Sequence, residues 1–143
     1  MNPSGPSDRI VHLALPGDWP AAGPAGDYRI SSRGVTLEQE GFIHCSFPDQ
    51  VVAVANRFYG DLTELTVLEI DPRRLAAEVV VEPAADGVAE LFPHVYGPIP
   101  NAAVVTAAAW RRAPGMGWQQ PPLPGGDQAG PENMPSSPGS CSA

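Results

Sequence analysis

The sequence predicts an α+β domain with a mixed or antiparallel β-sheet, on three observations. Short Val- and Ile-rich runs recur between Pro/Gly turns. Only two or three stretches carry helical signals, and these do not alternate strictly with the strands as a parallel sheet would require. At 143 residues the chain fits one domain with its own core.

The first eight residues, MNPSGPSD, read as a flexible lead-in. RIVHLAL is an apolar run closed by Pro16 and Gly17, the pattern of a buried strand, with His12 at its middle. YRISS gives a weaker strand. TLEQEG spaces Thr36 and Gln39 as a capping box and ends on Gly41, which predicts a helix of one or two turns. FIHCS is a strand. SFPDQVVAVANRFYGD repeats the box spacing at Ser46 and Asp49 and sets Val51, Val54, Ala55 and Phe58 on one helical face before Gly60. Gln50, Asn56 and Arg57 fall on the other face.

LTVLEID and AEVVVEP are strands joined by a short helical PRRLAA, and LFPHVYG and NAAVVTAAAW complete the sheet. From Ala113 the chain runs APGMGWQQPPLPGGDQAGPENMPSSPGSCSA, without an apolar period and with Pro or Gly every few residues. Such a composition cannot offset the entropy of ordering. The reading is therefore a domain over residues 9–112 and a disordered tail over 113–143.

A net charge of −8 with only 8 Lys+Arg and no basic run excludes a phosphate-tracking surface, so DNA is not expected as a partner. The two cysteines, Cys45 and Cys141, form no spaced framework, which fits a reducing compartment. With no signal-peptide pattern and no run long enough to span a membrane, a soluble cytoplasmic protein is expected. GxGxxG, P-loop, GxSxG and HExxH motifs are absent.

Chemistry concentrates in two stretches, GFIHCSFPDQ and FPHVYGPIP. The first ends a strand on His44, Cys45 and Ser46; His44 and Ser46 share a face, and Cys45 points the opposite way, into the core. The following helix was expected to bring Gln50 and its N-terminus, an anion-favouring position, to the same side. In the second stretch His94 and Tyr96 share a face. Glu82 ends a Val-rich strand where another Val would be the natural choice. All three histidines of the chain, His12, His44 and His94, fall on or beside strands. His44, Ser46, Gln50, Glu82 and His94 are expected to line one cleft.

GFIHCS followed by DQV, the ANRFYG helix end, LTVLEID, Glu82 and FPHVYGPI, in this order, resemble the domain of unknown function 952 family of small bacterial and plant proteins. The likeness runs from about Ile10 to Trp110. It implies an ADP-ribosyltransferase-like fold, a split and strongly bent sheet whose cleft holds a nicotinamide dinucleotide. His12 would then contact the ribose and carboxamide, and Glu82 would orient the ribose hydroxyl. Where many of those enzymes stack a Tyr on nicotinamide, Tyr28 and Ser31 lie near the right place without a diagnostic motif, and His44 could substitute.

The expectation is a domain that binds NAD or a related nucleotide and cleaves or transfers at its N-glycosidic bond. Glu82, His12 and His44 would be catalytic; Ser31, Ser46, Gln50, Arg57, His94 and Tyr96 would bind the ligand. No metal is expected. Two alternatives stay open: a non-catalytic nucleotide- or small-molecule-binding module that could pair as a homodimer, and a metal site built from His12, His44, His94 and Glu82.

Overall fold

A computed structural model describes residues 9–21, 26–85 and 87–123. Its strands are β1 (Ile10–Ala14), β2 (Asp27–Tyr28), β3 (Ile30–Ser32), β4 (Val35–Thr36), β5 (Ile43–His44), β6 (Glu64–Ile70), β7 (Val79–Pro83), β8 (Leu91–Val95), β9 (Ile99–Pro100) and β10 (Val104–Arg111). Helices α1 (Asp18–Ala21), α2 (Leu37–Glu40) and α3 (Val51–Phe58) are short, and 3-10 turns cover Pro48–Gln50, Pro72–Arg74 and Asn101–Ala103. The domain is α+β, and each ladder among the described residues is antiparallel.

Two three-stranded sheets form the frame, in the orders β1-β6-β10 and β5-β8-β7. A single bridge joins them: Val11 and Ser46 exchange backbone hydrogen bonds of 2.8 and 2.7 Å. The first sheet is covered on both faces. Ile10, Ala14, Leu68 and Ile70 pack with Tyr28, Leu37, Ile43 and Val95. Val11, Leu13, Leu65, Val67 and Trp110 pack with Val51 and Ala55 of α3, Tyr59 and Trp118. This two-sided burial explains why RIVHLAL and LTVLEID read as apolar runs rather than as clean alternations.

The box spacing at Thr36 is realised: its hydroxyl accepts from Gln39 N–H, Gln39 Oε1 accepts from Thr36 N–H, and Gly41 closes α2 at φ 96°. The second box is not. Gln50 takes the place assigned to Asp49, its Oε1 accepting from Phe47 N–H at 2.9 Å. The core face of α3 also differs from the expected one. Val51, Ala55 and Tyr59, each four residues apart, are buried, and Phe58 is 58% exposed.

The expected boundary at Arg112 is corrected. Trp118 is 2% exposed and packs against Trp110, with ring centroids 4.8 Å apart and planes tilted by 54°. Asn56 grips its backbone, donating to Trp118 C=O at 3.1 Å and accepting from Trp118 N–H at 2.7 Å, and the indole Nε1 donates to Tyr59 C=O. Arg112 turns the chain into this strap by donating to the carbonyls of Gly60, Leu62 and Met116. One large apolar side chain in a Pro/Gly-rich stretch carries no period, so composition alone hid it. The rest of the expected tail, residues 124–143, and the lead-in 1–8 lie outside the described residues. No helix among the described residues is long and apolar enough to cross a membrane.

Candidate functional site

A cavity of about 490 Å³ opens between β1, β3, the end of β5, α3 and the loop joining β7 to β8. Its walls are mainly apolar: Val11 and Leu13 from β1, Val54 and Phe58 from α3, Ala84, Ala85 and Val88 from the loop, and Phe92 from β8. Residues with polar side chains in the lining are Ser31, Ser32, Arg33, His44, Ser46, Arg57 and Tyr59, and His12 adjoins them.

Five expected site residues therefore meet here: His12, Ser31, His44, Ser46 and Arg57. Cys45 adjoins them but belongs to the core, and burial pushes its thiol well above the ordinary cysteine range. The helix presents its second half and not its N-terminus, so positive charge comes from Arg57 and Arg33 rather than from a helix end. Arg33 is committed to Asp61 through two hydrogen bonds of 2.9 and 2.5 Å. Arg57 stacks over Phe58, its guanidinium carbon 5.4 Å from the ring centroid, and has no ion-pair partner among the described residues.

His12 differs most from its expected role. It is buried, and both ring nitrogens are engaged, Nδ1 with His44 C=O at 2.6 Å and Nε2 with Tyr28 Oη at 3.0 Å. Since Nδ1 faces a carbonyl it must donate, which leaves Nε2 to accept from the tyrosine hydroxyl. Burial, outweighing the bond to His44 C=O, lowers its pKa to about 4. The ring ties β1 to β5 and β2, and has no nitrogen left for a sugar or carboxamide.

The single cleft expected for His44, Ser46, Gln50, Glu82 and His94 is not formed. Gln50, Glu82, His94 and Tyr96 do not line the cavity. Gln50 spends its amide on Glu90 Oε2 and Leu91 C=O, both at 2.9 Å. The other three form a neighbouring cluster on the face of the β5-β8-β7 sheet, because His44 pairs with His94 and Glu82 with Phe92 across the strands. Glu82 Oε2 accepts from His94 Nδ1 at 2.8 Å and from the Tyr96 hydroxyl. The Tyr96 bond, then the His94 bond, hold the Glu82 carboxyl below its usual range, and the same contact raises the Tyr96 phenol.

His44 belongs to both places. The residue is part of the cavity wall, and its ring meets His94 edge-on at 5.0 Å, with Nε2 3.8 Å from Glu40 Oε2. Burial first, and His94 second, lower its pKa, so the ring is neutral near pH 7. The arrangement supplies a half-buried neutral imidazole without a ring hydrogen bond among the described residues, a group suited to proton transfer. Of the residues in the metal alternative, His12 has both ring nitrogens committed, and Glu82 Oε2 accepts from His94 and Tyr96. Among the described residues no three His, Cys, Asp or Glu side chains are placed to hold a metal ion.

Sequence reasoning missed Phe58, assigned to the core, and the wall formed by Ala84, Ala85, Val88 and Phe92. For Phe58 the signal was present: RFYG puts two aromatics at a helix end, where only one can face the core.

Residues 14–107 match the model of the family described as "Protein of unknown function (DUF952)", more than half of the chain. The chain belongs to the DUF952 family. Among solved structures it is similar to CC0527 from Caulobacter crescentus. The crystal structure of that protein is 23% identical with a TM-score of 0.64, covering 78% of this chain and 93% of that one. The solution NMR structure of CC0527 is 23% identical with a TM-score of 0.60, over 75% and 88% of the two chains. At this identity the likeness shows the fold alone. None of the curated proteins matches the chain.

Proposed function

We propose that the chain binds a small anionic molecule carrying a flat ring, of the nucleotide class, with NAD or a part of it as the first candidate. The observation that carries this is Arg57: a guanidinium without an ion-pair partner among the described residues, stacked on Phe58 at an apolar-walled cavity of about 490 Å³. That volume lies in the range of small-molecule sites, and an apolar body with a few converging polar groups is their usual build. A guanidinium fits a phosphate or carboxylate through a planar fork of donors. The parting of the frame into two sheets, joined at the Val11–Ser46 bridge, supports an ADP-ribosyltransferase-like reading of the fold, and NAD with it.

Calorimetric titration with NAD, ADP-ribose, AMP and nicotinamide tests the proposal. A phosphate-bearing ligand should bind, and Arg57→Ala should weaken it roughly ten- to a hundredfold, the value of a hydrogen bond to a charged group. Absence of binding by every phosphate-bearing ligand would refute it.

A second reading adds cleavage or transfer at the glycosidic bond. What favours it is the neutral His44 on the cavity wall, with an ionised Glu82 in the neighbouring cluster. Nicotinamide release from NAD would establish it, and Glu82→Gln should then reduce turnover by up to about 10²-fold by acting through His94 on His44, since the carboxylate does not line the cavity. An unaffected rate would remove Glu82 from the reaction.

A further inference from the structure

The Glu82, His94 and Tyr96 cluster has no place in ligand binding as described, yet it is built as tightly as the cavity. His94 is 1% exposed, and Phe42 stacks on its ring at 4.1 Å and 17°. Glu82 is ionised and receives the Tyr96 hydroxyl, so His94 Nδ1 carries the hydrogen of the 2.8 Å bond. In the neutral ring this leaves Nε2 a bare acceptor, and that atom is buried without a partner among the described residues. A half-buried second imidazole, His44, stands edge-on to it, with 5.0 Å between centroids and 85° between planes, directly opposite in the strand register. Two imidazolium rings at this distance repel, and burial strengthens the repulsion.

We propose that His44 takes a proton from a ligand O–H or N–H in the cavity, with the His94 ring edge-on behind it and Glu82 bonded to that ring. In that step the ligand's X–H bond breaks, its electron pair stays on the ligand, and the new N–H bond forms on the His44 ring. Glu82 and His94 are positioning residues that act through His44. The proton-accepting role rests on the cavity being a ligand site; the coupling of the two rings does not.

The charged and titratable groups around His44 fit this division. Glu40 on α2, 3.8 Å away, favours the proton on His44. Glu82 on β7 is bonded to His94 Nδ1 at 2.8 Å. Buried His12 on β1 has its Nδ1 on the His44 carbonyl and stays neutral.

Side-chain ¹⁵N NMR of the full, ligand-free chain tests the coupling. Because burial and then the His94 ring lower the His44 pKa, His94→Gln should move the His44 inflection to higher pH. Glu82→Gln, at a partly exposed position that tolerates the change if His94→Gln does not fold, should shift the same inflection through the His94 ring. A His44 inflection unchanged by either variant would overturn the proposal. Because no ligand is present, that failure is distinct from a failure to bind nucleotides.

Discussion

Trp118→Ala strikes the contact that sequence composition concealed. The indole is 2% exposed among Trp110, Tyr59 and the α3 face, and its Nε1 bonds Tyr59 C=O at 3.0 Å. Removing a buried Trp costs about 3–5 kcal/mol, including the cavity left behind. Against a total stability of roughly 5–15 kcal/mol this is a large share. At about 4 °C per kcal/mol for a domain of this size, the melting temperature should fall by roughly 12–20 °C. Differential scanning calorimetry of the full chain reads it directly. Ending the chain at Arg112 should cost at least as much, since the two Asn56 bonds to the Trp118 backbone go too. A chain ending at Leu123 keeps each described contact and should melt like the parent. A truncation at Arg112 that melts unchanged would refute the assignment of the strap to the core.

Stability should fall on acidification through His12, whose folded pKa of about 4 lies below its ordinary value of 6.5. Below pH 6.5 the unfolded chain gains a proton that the folded ring refuses, so stability is lost down to about pH 4 and levels off there; the shift is worth about 3 kcal/mol. Urea unfolding at pH 7 and pH 4.5 should show the loss, and a flat profile would contradict a neutral buried His12. Cys45 should resist thiol reagents in the native protein and react only after unfolding, because its thiol is buried and its pKa is raised. Gly97→Ala should destabilise by about 1–3 kcal/mol, since a Cβ there would lie 2.7 Å from that of Ala77; chemical denaturation measures it.

Much of the frame was legible because its signals are local. The Thr36/Gln39 box and Gly41 mark both ends of α2, and the apolar run LTVLEI and the Val-rich VVVEP mark β6 and β7. What stayed hidden depends on partners distant in sequence. His12 looks the same in a strand whether its nitrogens meet a ligand or, as here, the carbonyl of His44 and the hydroxyl of Tyr28. Period-2 spacing put His44 on a face with Ser46, and His94 on one with Tyr96; only the antiparallel register sets His44 opposite His94. The β7–β8 loop gave no pattern that would turn Ala84, Ala85 and Val88 toward the cavity.

The central claim is that the cavity beside Arg57 is the ligand site. Backbone and side-chain NMR of the full chain, titrated with NAD, ADP-ribose and AMP, tests it most directly. The account predicts saturable shifts at His44, Ser46, Arg57, Phe58 and Val88, with Val105 on β10 and Trp118 on the strap unmoved. Shifts confined to residues away from the cavity, or none at millimolar ligand, would contradict it.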